Sequence, residues 1–315
     1  MRIRRRTYPL LGLILLLLAG VLVARGLGII PEGLIDLIVR SWPALLILAG
    51  LAGLLRGRIP FSGLVALVAS LALVAVVAAT SFSSRAGQQR DDNRQPIAQA
   101  LDADVTLLRV RVETLATEVE ILGALTREGG VAGEFVGSAE NQMQVNYEAS
   151  PDGSATLTVR ETQSSAFPRL ETIGRGALRL ELPPEVLLDV EFVGQDGTVI
   201  LNMDGLSLER LNVNAARGDV LLTLPDHKPV LSTSGEGQGA INARSGAVTL
   251  FIPASVAARL ELNREGSGIE PQYDPNVYNY LVGDVLEARG IESAETVVRY
   301  TITAPRGRIR VEVPS

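Results

Sequence analysis

Few residues in this 315-residue chain have the types and spacing that chemistry requires. The one histidine, His227, sits in Pro225-Asp226-His227-Lys228-Pro229, a turn composition. A zinc site or a nucleophile-base-acid triad needs partners at set spacings, and none accompany it, so turn filler is the expectation. Cysteine is absent, which removes disulfides, thiolate metal sites and a thiol nucleophile together. Asp91-Asp92 could start a cation site, but no acids cluster beside it, and it reads as solvated linker charge. Gly235, Gly237 and Gly239 copy part of a phosphate loop, yet neither a lysine-hydroxyl pair nor a helical pattern follows. No acid recurs at a spacing that would stack a carboxylate cluster for glycan hydrolysis. Tyr273, Tyr278 and Tyr280, with Pro271 and Pro275, read as a cap over an open sheet end, or alternatively as an aromatic platform for sugar. The expectation is a non-enzymatic protein with no metal and no cofactor.

The elements that position these residues divide by charge. Residues 1–80 hold eight arginines against Glu32 and Asp36, a net of +6, and the remainder is a net −12, matching the overall −6. The acidic remainder is a poor ligand for nucleic acid, whose binding rests on Lys and Arg neutralising phosphates. Residues 1–82 read as a transmembrane region with spans at about 8–24, 34–55 and 59–80, since a spanning helix takes about 20 apolar residues. The middle span reaches that length only by including Asp36 and Arg40, an i, i+4 ion pair expected at the membrane interface beside Trp42. A secretory signal peptide is the alternative for the first segment. Arginines at 2, 4, 5, 6, 56 and 58 favour an N-terminus inside the cell. Three spans place the rest outside, and two would place it inside.

Residues 83–103 read as a polar linker, and 104–172 as a β-rich section of alternating β-branched residues and glycine turns. Between 173 and 268 lies an internal repeat. Gly176, Gly197, Gly218 and Gly239 stand 21 residues apart, each followed by apolar residues at alternate positions, such as Leu178, Leu180 and Leu182. Gly246 and Gly307 begin further copies. A second alternating strand recurs at Val190/Phe192 and Leu211/Val213, with Leu260/Leu262 in the matching place. A fixed period of strands and turns predicts a β-solenoid, with glycine at a tight corner; a β-sandwich is the alternative. Residues 269–315 are expected to form a cap and the final strands. If the even positions point inward, Ile200 and Leu221 stack outward, with Phe251 on the same side. That face is predicted to contact another protein or the 104–170 section.

The apolar hairpin carries a resemblance. Residues 12–22, G-L-I-L-L-L-L-A-G-V-L, the link Gly28-Ile29-Ile30, and S-W-P-A-L-L-I-L-A-G-L at 41–51 resemble the LiaI/LiaF-type transmembrane region. The downstream repeat resembles, by pattern, the solenoid domains attached to it, of the LiaF C-terminal, toast-rack and candidate-adhesin types. The resemblance implies a bacterial cytoplasmic-membrane protein that accompanies cell-envelope stress signalling and restrains a sensor histidine kinase. An adhesin-like module holding wall polymer or glycan is the alternative. Neither the partner nor the oligomeric state follows from the residues.

Overall fold

The computed structural model describes residues 88–124, 129–164, 174–226, 238–264 and 269–314. The expected spans, Asp36, Arg40, Trp42, His227, Gly235 and Gly237 lie outside them. Among the described residues no helix is long and apolar enough to cross a membrane. From Gln89 onward the described residues belong to one compact unit. It is all-β, as expected, with one short 3-10 turn at Ile291–Ser293.

Two sheets enclose the core. The first holds eight strands in the order β1 (Asn93–Ala100), β4 (Gly130–Gly137), β7 (Gly176–Leu182), β3 (Thr117–Gly123), β9 (Val199–Asn202), β11 (Val220–Thr223), β13 (Val248–Phe251), β18 (Ile309–Glu312). The second holds ten, in the order β15 (Tyr278–Leu281), β16 (Val285–Ala288), β14 (Ala257–Asn263), β17 (Val297–Thr303), β12 (Gly239–Ala243), β10 (Ser207–Ala215), β8 (Leu187–Gly194), β2 (Leu107–Thr114), β6 (Ser154–Gln163), β5 (Asn141–Ala149). Asn93–Ala100, inside the segment read as linker, is thus a strand: Ile97 is buried and β4 supplies the backbone partners.

The alternation read from sequence becomes in-register apolar ladders. Val199, Val220, Val248 and Ile309 pair in succession across four parallel strands, and Leu201, Leu222, Leu250 and Val311 form the next row. In the second sheet Val112, Phe192, Val213, Ile241, Ile302 and Leu262 form one such row. All ten of these second-row and second-sheet residues are at most 5% exposed. Burying one Val, Leu, Ile or Phe stabilises by about 1.5–3 kcal/mol, so register is specified rung by rung: a one-residue slip would turn a whole ladder to solvent.

The corners are built on glycine where two backbones nearly touch. A Cβ on Gly218 would lie 2.0 Å from the carbonyl oxygen of Gly197, one on Gly246 1.8 Å from that of Gly218, and one on Gly307 1.7 Å from that of Gly246. Gly197 and Gly218 also hold φ of +125° and +122°, which side chains disfavour.

The neighbour relations differ from the simple 21-residue stack at three places. The Gly176 strand β7 pairs with β3 and β4, not with β9, because β3 occupies the slot between them. Gly239 opens β12 of the second sheet, where Ile241 pairs with Val213; the true successor of β11 is β13, with Val248 against Val220, 28 residues on. The 21-residue spacing to Gly239 is coincidental, since the step from Val220 to Val248 is seven residues longer than that from Val199 to Val220. Leu260 and Leu262 sit on β14, which β17 separates from β12. Period and parity specify which face a strand buries, but two strands of equal parity compete for a slot, and only the packed structure decides between them.

Candidate interaction surfaces

The outward face of the eight-stranded sheet has two chemistries. Towards β4 and β7 it carries ion pairs: Arg94 with Glu134 at 3.4 Å, and Arg179 with Glu120 at 3.5 Å and Glu181 at 3.4 Å. These are exposed and worth at most about 1 kcal/mol each. Towards β9 and β11 the face turns apolar. Ile200 and Leu221 are paired in register, and Ile200 is 41% exposed. Phe251 is half-buried on the same side, two residues further along, between Thr223 and Glu312. The structure therefore brings Ile200 and Leu221 together and sets Phe251 diagonal to them. The 104–170 section meets this face in the plane of the sheet, with Glu120 paired to Ile200.

The outward face of the ten-stranded sheet also divides. On β6, β2 and β8 it is charged: Glu113 meets Arg160 at 2.6 Å and Arg111 at 2.7 Å, and Arg111 reaches Glu191 at 3.4 Å. The hydrogen bond from Arg160, opposed by burial and aided by the hydrogen bond from Arg111, holds the Glu113 carboxyl below the usual range. Asp189 lies near Arg210, Glu209, Arg109 and Glu191, and burial dominates and raises its carboxyl. Beyond β8 lies a row of amides and hydroxyls, with the charges Arg259, Glu261 and Arg299 further along the same side. Asn214, Asn242, Thr303 and Asn263 form one in-register row across β10, β12, β17 and β14. Asn212 and Thr301 lie on the same side two residues away, and Asn212 accepts a hydrogen bond from the Ala240 N–H at 3.1 Å. Rows in such a sheet repeat at about 4.8 Å. This array escaped sequence reading because its members are unevenly spaced in the chain; the Asn-x-Asn at 212–214 and Thr-x-Thr at 301–303 were its visible traces.

One interior carboxylate organises the first rung. Glu161 on β6 is 3% exposed and accepts the N–H of Leu115 at 2.6 Å, the N–H of Ala116 at 3.1 Å and the Asn141 amide at 2.7 Å. It thereby satisfies the turn between β2 and β3, a structural role.

The tyrosine cluster separates into two environments. Tyr278 points into the core, where burial pushes its hydroxyl up to about 12, and Tyr300 on β17 is raised by the same cause. Tyr273 and Tyr280 stack with ring centres 6.1 Å apart. Arg264 lies 5.8 Å over the Tyr280 ring and donates to the Tyr280 oxygen and to Asp284, each at 2.7 Å. Tyr280 also donates to Asp284, and that bond, with Arg264, holds the Asp284 carboxyl low. In the same segment, Gln272 hydrogen-bonds the outer edge of β18 at Ile309 and Val311. Asp92 pairs with Arg90 at 2.6 Å, and among the described residues no group of three or more acids or histidines converges on a cation site.

Comparison with known proteins follows the fold. No protein-family model matches the chain, and no curated protein matches it. A solved structure of a candidate cell adhesion protein from Clostridium sporogenes is similar, at 15% identity and a TM-score of 0.58. The similarity covers 70% of this chain and 100% of that one. At that identity it shows a shared fold alone.

Proposed function

We propose that this protein is a non-enzymatic, membrane-anchored scaffold of the bacterial cell envelope, with a β-solenoid domain that binds another protein through the outward face of its eight-stranded sheet. The carrying observation is the apolar pair Ile200–Leu221, side by side on a face that is ion-paired towards β4 and β7. The winding of strands between two sheets supports the solenoid reading over a sandwich, since β7 to β14 alternate between the sheets, with β8, β10 and β12 stacked in parallel in one and β9, β11 and β13 in the other. The anchor rests on the apolar segments before residue 83, and the resemblance of those segments to the LiaI/LiaF-type region makes a sensor histidine kinase the partner of first interest. The domain is read as facing outward from the cytoplasmic membrane.

A second reading, a surface module for neutral wall polymer or glycan, is favoured by the uncharged Asn214–Asn242–Thr303–Asn263 row, whose spacing suits a hydrogen-bonding polymer. The candidate adhesion protein of the same fold is consistent with it.

One experiment separates the two. A photo-crosslinker at position 202 of the full-length protein in cells is expected to capture a membrane protein. The Ile200→Asp, Leu221→Asp double variant should lose that product at least tenfold while keeping its melting temperature. Capture unchanged by the double variant would refute the protein-contact reading. Retention on purified wall polymer, abolished by Asn242→Asp, would replace it with the second.

A further inference from the structure

The two sheets have four edges, and three of them are guarded. β1 carries Arg94 and Pro96, residues that discourage strand addition. The β5 edge is closed by β1 side chains: Asn93 donates to the Asn141 carbonyl at 2.8 Å, Gln95 donates to the Met143 carbonyl at 2.7 Å, and Gln95 accepts the Met143 N–H at 3.1 Å. The β18 edge is covered by Gln272, which accepts from Val311 at 2.8 Å and donates to Ile309 at 2.9 Å. The fourth edge, β15, is different. Its sequence Tyr278-Asn279-Tyr280-Leu281 contains no charge and no proline. Among the described residues it pairs with β16 alone.

Exposed apolar side chains gather at this edge. Of the five large hydrophobic residues most exposed among those described, four are Ile269, Tyr280, Leu281 and Val282; Val282 is 103% exposed. The turn that holds Val282 out has φ of +90° at Gly283 and +59° at Asp284, and Asp284 is tied to Arg264 and Tyr280. An unguarded edge flanked by exposed apolar residues is the condition for strand addition.

We propose that β15 is a self-association edge, at which a second copy of this chain adds its own β15 antiparallel across a two-fold axis. The backbone shows which register is available. Arg289 N–H donates to the Val277 carbonyl at 2.8 Å, so Val277, Asn279 and Leu281 turn their backbone groups towards β16. The groups of Tyr280 and the carbonyl of Tyr278 face the open side, while the Tyr278 N–H is taken by the Asp274 carbonyl at 3.0 Å. A register centred on Asn279 matches the Tyr280 N–H of each copy to the Tyr278 carbonyl of the other. It also sets Leu281 against Val277 of the second copy, twice, and within the paired residues 277–281 brings no charge opposite a like charge. Such an isologous contact closes at two copies and joins the ten-stranded sheets of both. It is independent of the Ile200–Leu221 reading, because it uses the other sheet.

The test exploits the absence of cysteine from the chain. Opposed residues that do not exchange backbone hydrogen bonds have Cα atoms about 4.5 Å apart, within disulfide range. Full-length Asn279→Cys in detergent is expected to oxidise mainly to a covalent dimer, and exposed Asn202→Cys to give at least tenfold less. Light scattering should report a dimer for the unsubstituted protein and a monomer for Leu281→Lys, Val282→Lys, with the melting temperature unchanged. A monomer for the unsubstituted protein at about 100 μM, above the micromolar affinities of weak specific contacts, overturns the proposal. So does equal crosslinking at the two positions, or a dimer that survives the lysines.

Discussion

Alanine at Gly218 tests the corner geometry on which the stacked rungs rest. Two costs coincide there. The φ of +122° is one that side chains rarely adopt, and holding a residue in such a conformation costs about 1–3 kcal/mol. The new Cβ would also stand 2.0 Å from the Gly197 carbonyl oxygen, so the two rungs must separate, an overpacking cost of about 1–3 kcal/mol. Two other glycines isolate these costs. Gly205 has φ +71° with nothing within 4 Å of an added Cβ, so Gly205→Ala carries only the backbone cost of about 1–2 kcal/mol. Gly246 has no left-handed φ, but its Cβ would meet the Gly218 oxygen at 1.8 Å, so Gly246→Ala carries only the contact cost. For a domain of this size 1 kcal/mol moves the melting temperature by about 2–4 °C. Thermal melts followed by circular dichroism should show losses of about 2–8 °C for Gly205→Ala and about 4–24 °C for Gly218→Ala. Gly246→Ala should fall between them. If Gly218→Ala melts no lower than Gly205→Ala, or Gly246→Ala is neutral, close backbone approach does not set the corners and the reasoning fails.

Two further outcomes follow from buried and half-buried carboxylates. Glu161→Ala strands the Leu115 and Ala116 N–H groups and the Asn141 amide, and should lower stability by about 2–4 kcal/mol in urea denaturation; Glu161→Gln, which keeps an acceptor, should lose less, and equal losses would show that packing alone is at stake. Asp189 has its folded pKa raised by burial, so its ionisation opposes folding: the stability that goes with its protonated form is present below the unfolded pKa and lost as pH rises through the folded value. Asp189→Asn should therefore melt higher than the parent at pH 7, with the gain shrinking towards pH 3; a lower melting temperature at pH 7 would mean that Arg210 and Arg109 outweigh burial.

How far the sequence speaks for itself can be read from particular strands. Val199, Leu201, Val220 and Leu222 announced their inward face by period two alone, and each is buried, because alternation is a local property of an extended chain. Gly197 and Gly218 announced the corners, since no other residue tolerates both that φ and a touching backbone. The outward pair Ile200–Leu221 was legible for the same reason, as both lie one position off the buried rows. The order of the strands was not legible. β3 intrudes between β7 and β9 across 80 residues of chain, from Val119 to Val199, and β17 intrudes between β12 and β14. Nothing in local pattern distinguishes one strand of matching parity from another; the choice falls to side-chain fit and connection length in the assembled core. The Asn214–Asn242–Thr303–Asn263 row and the open β15 edge share that origin. Each residue is unremarkable where it stands in the chain. Each becomes a surface only when distant segments are brought side by side, a strand's width apart.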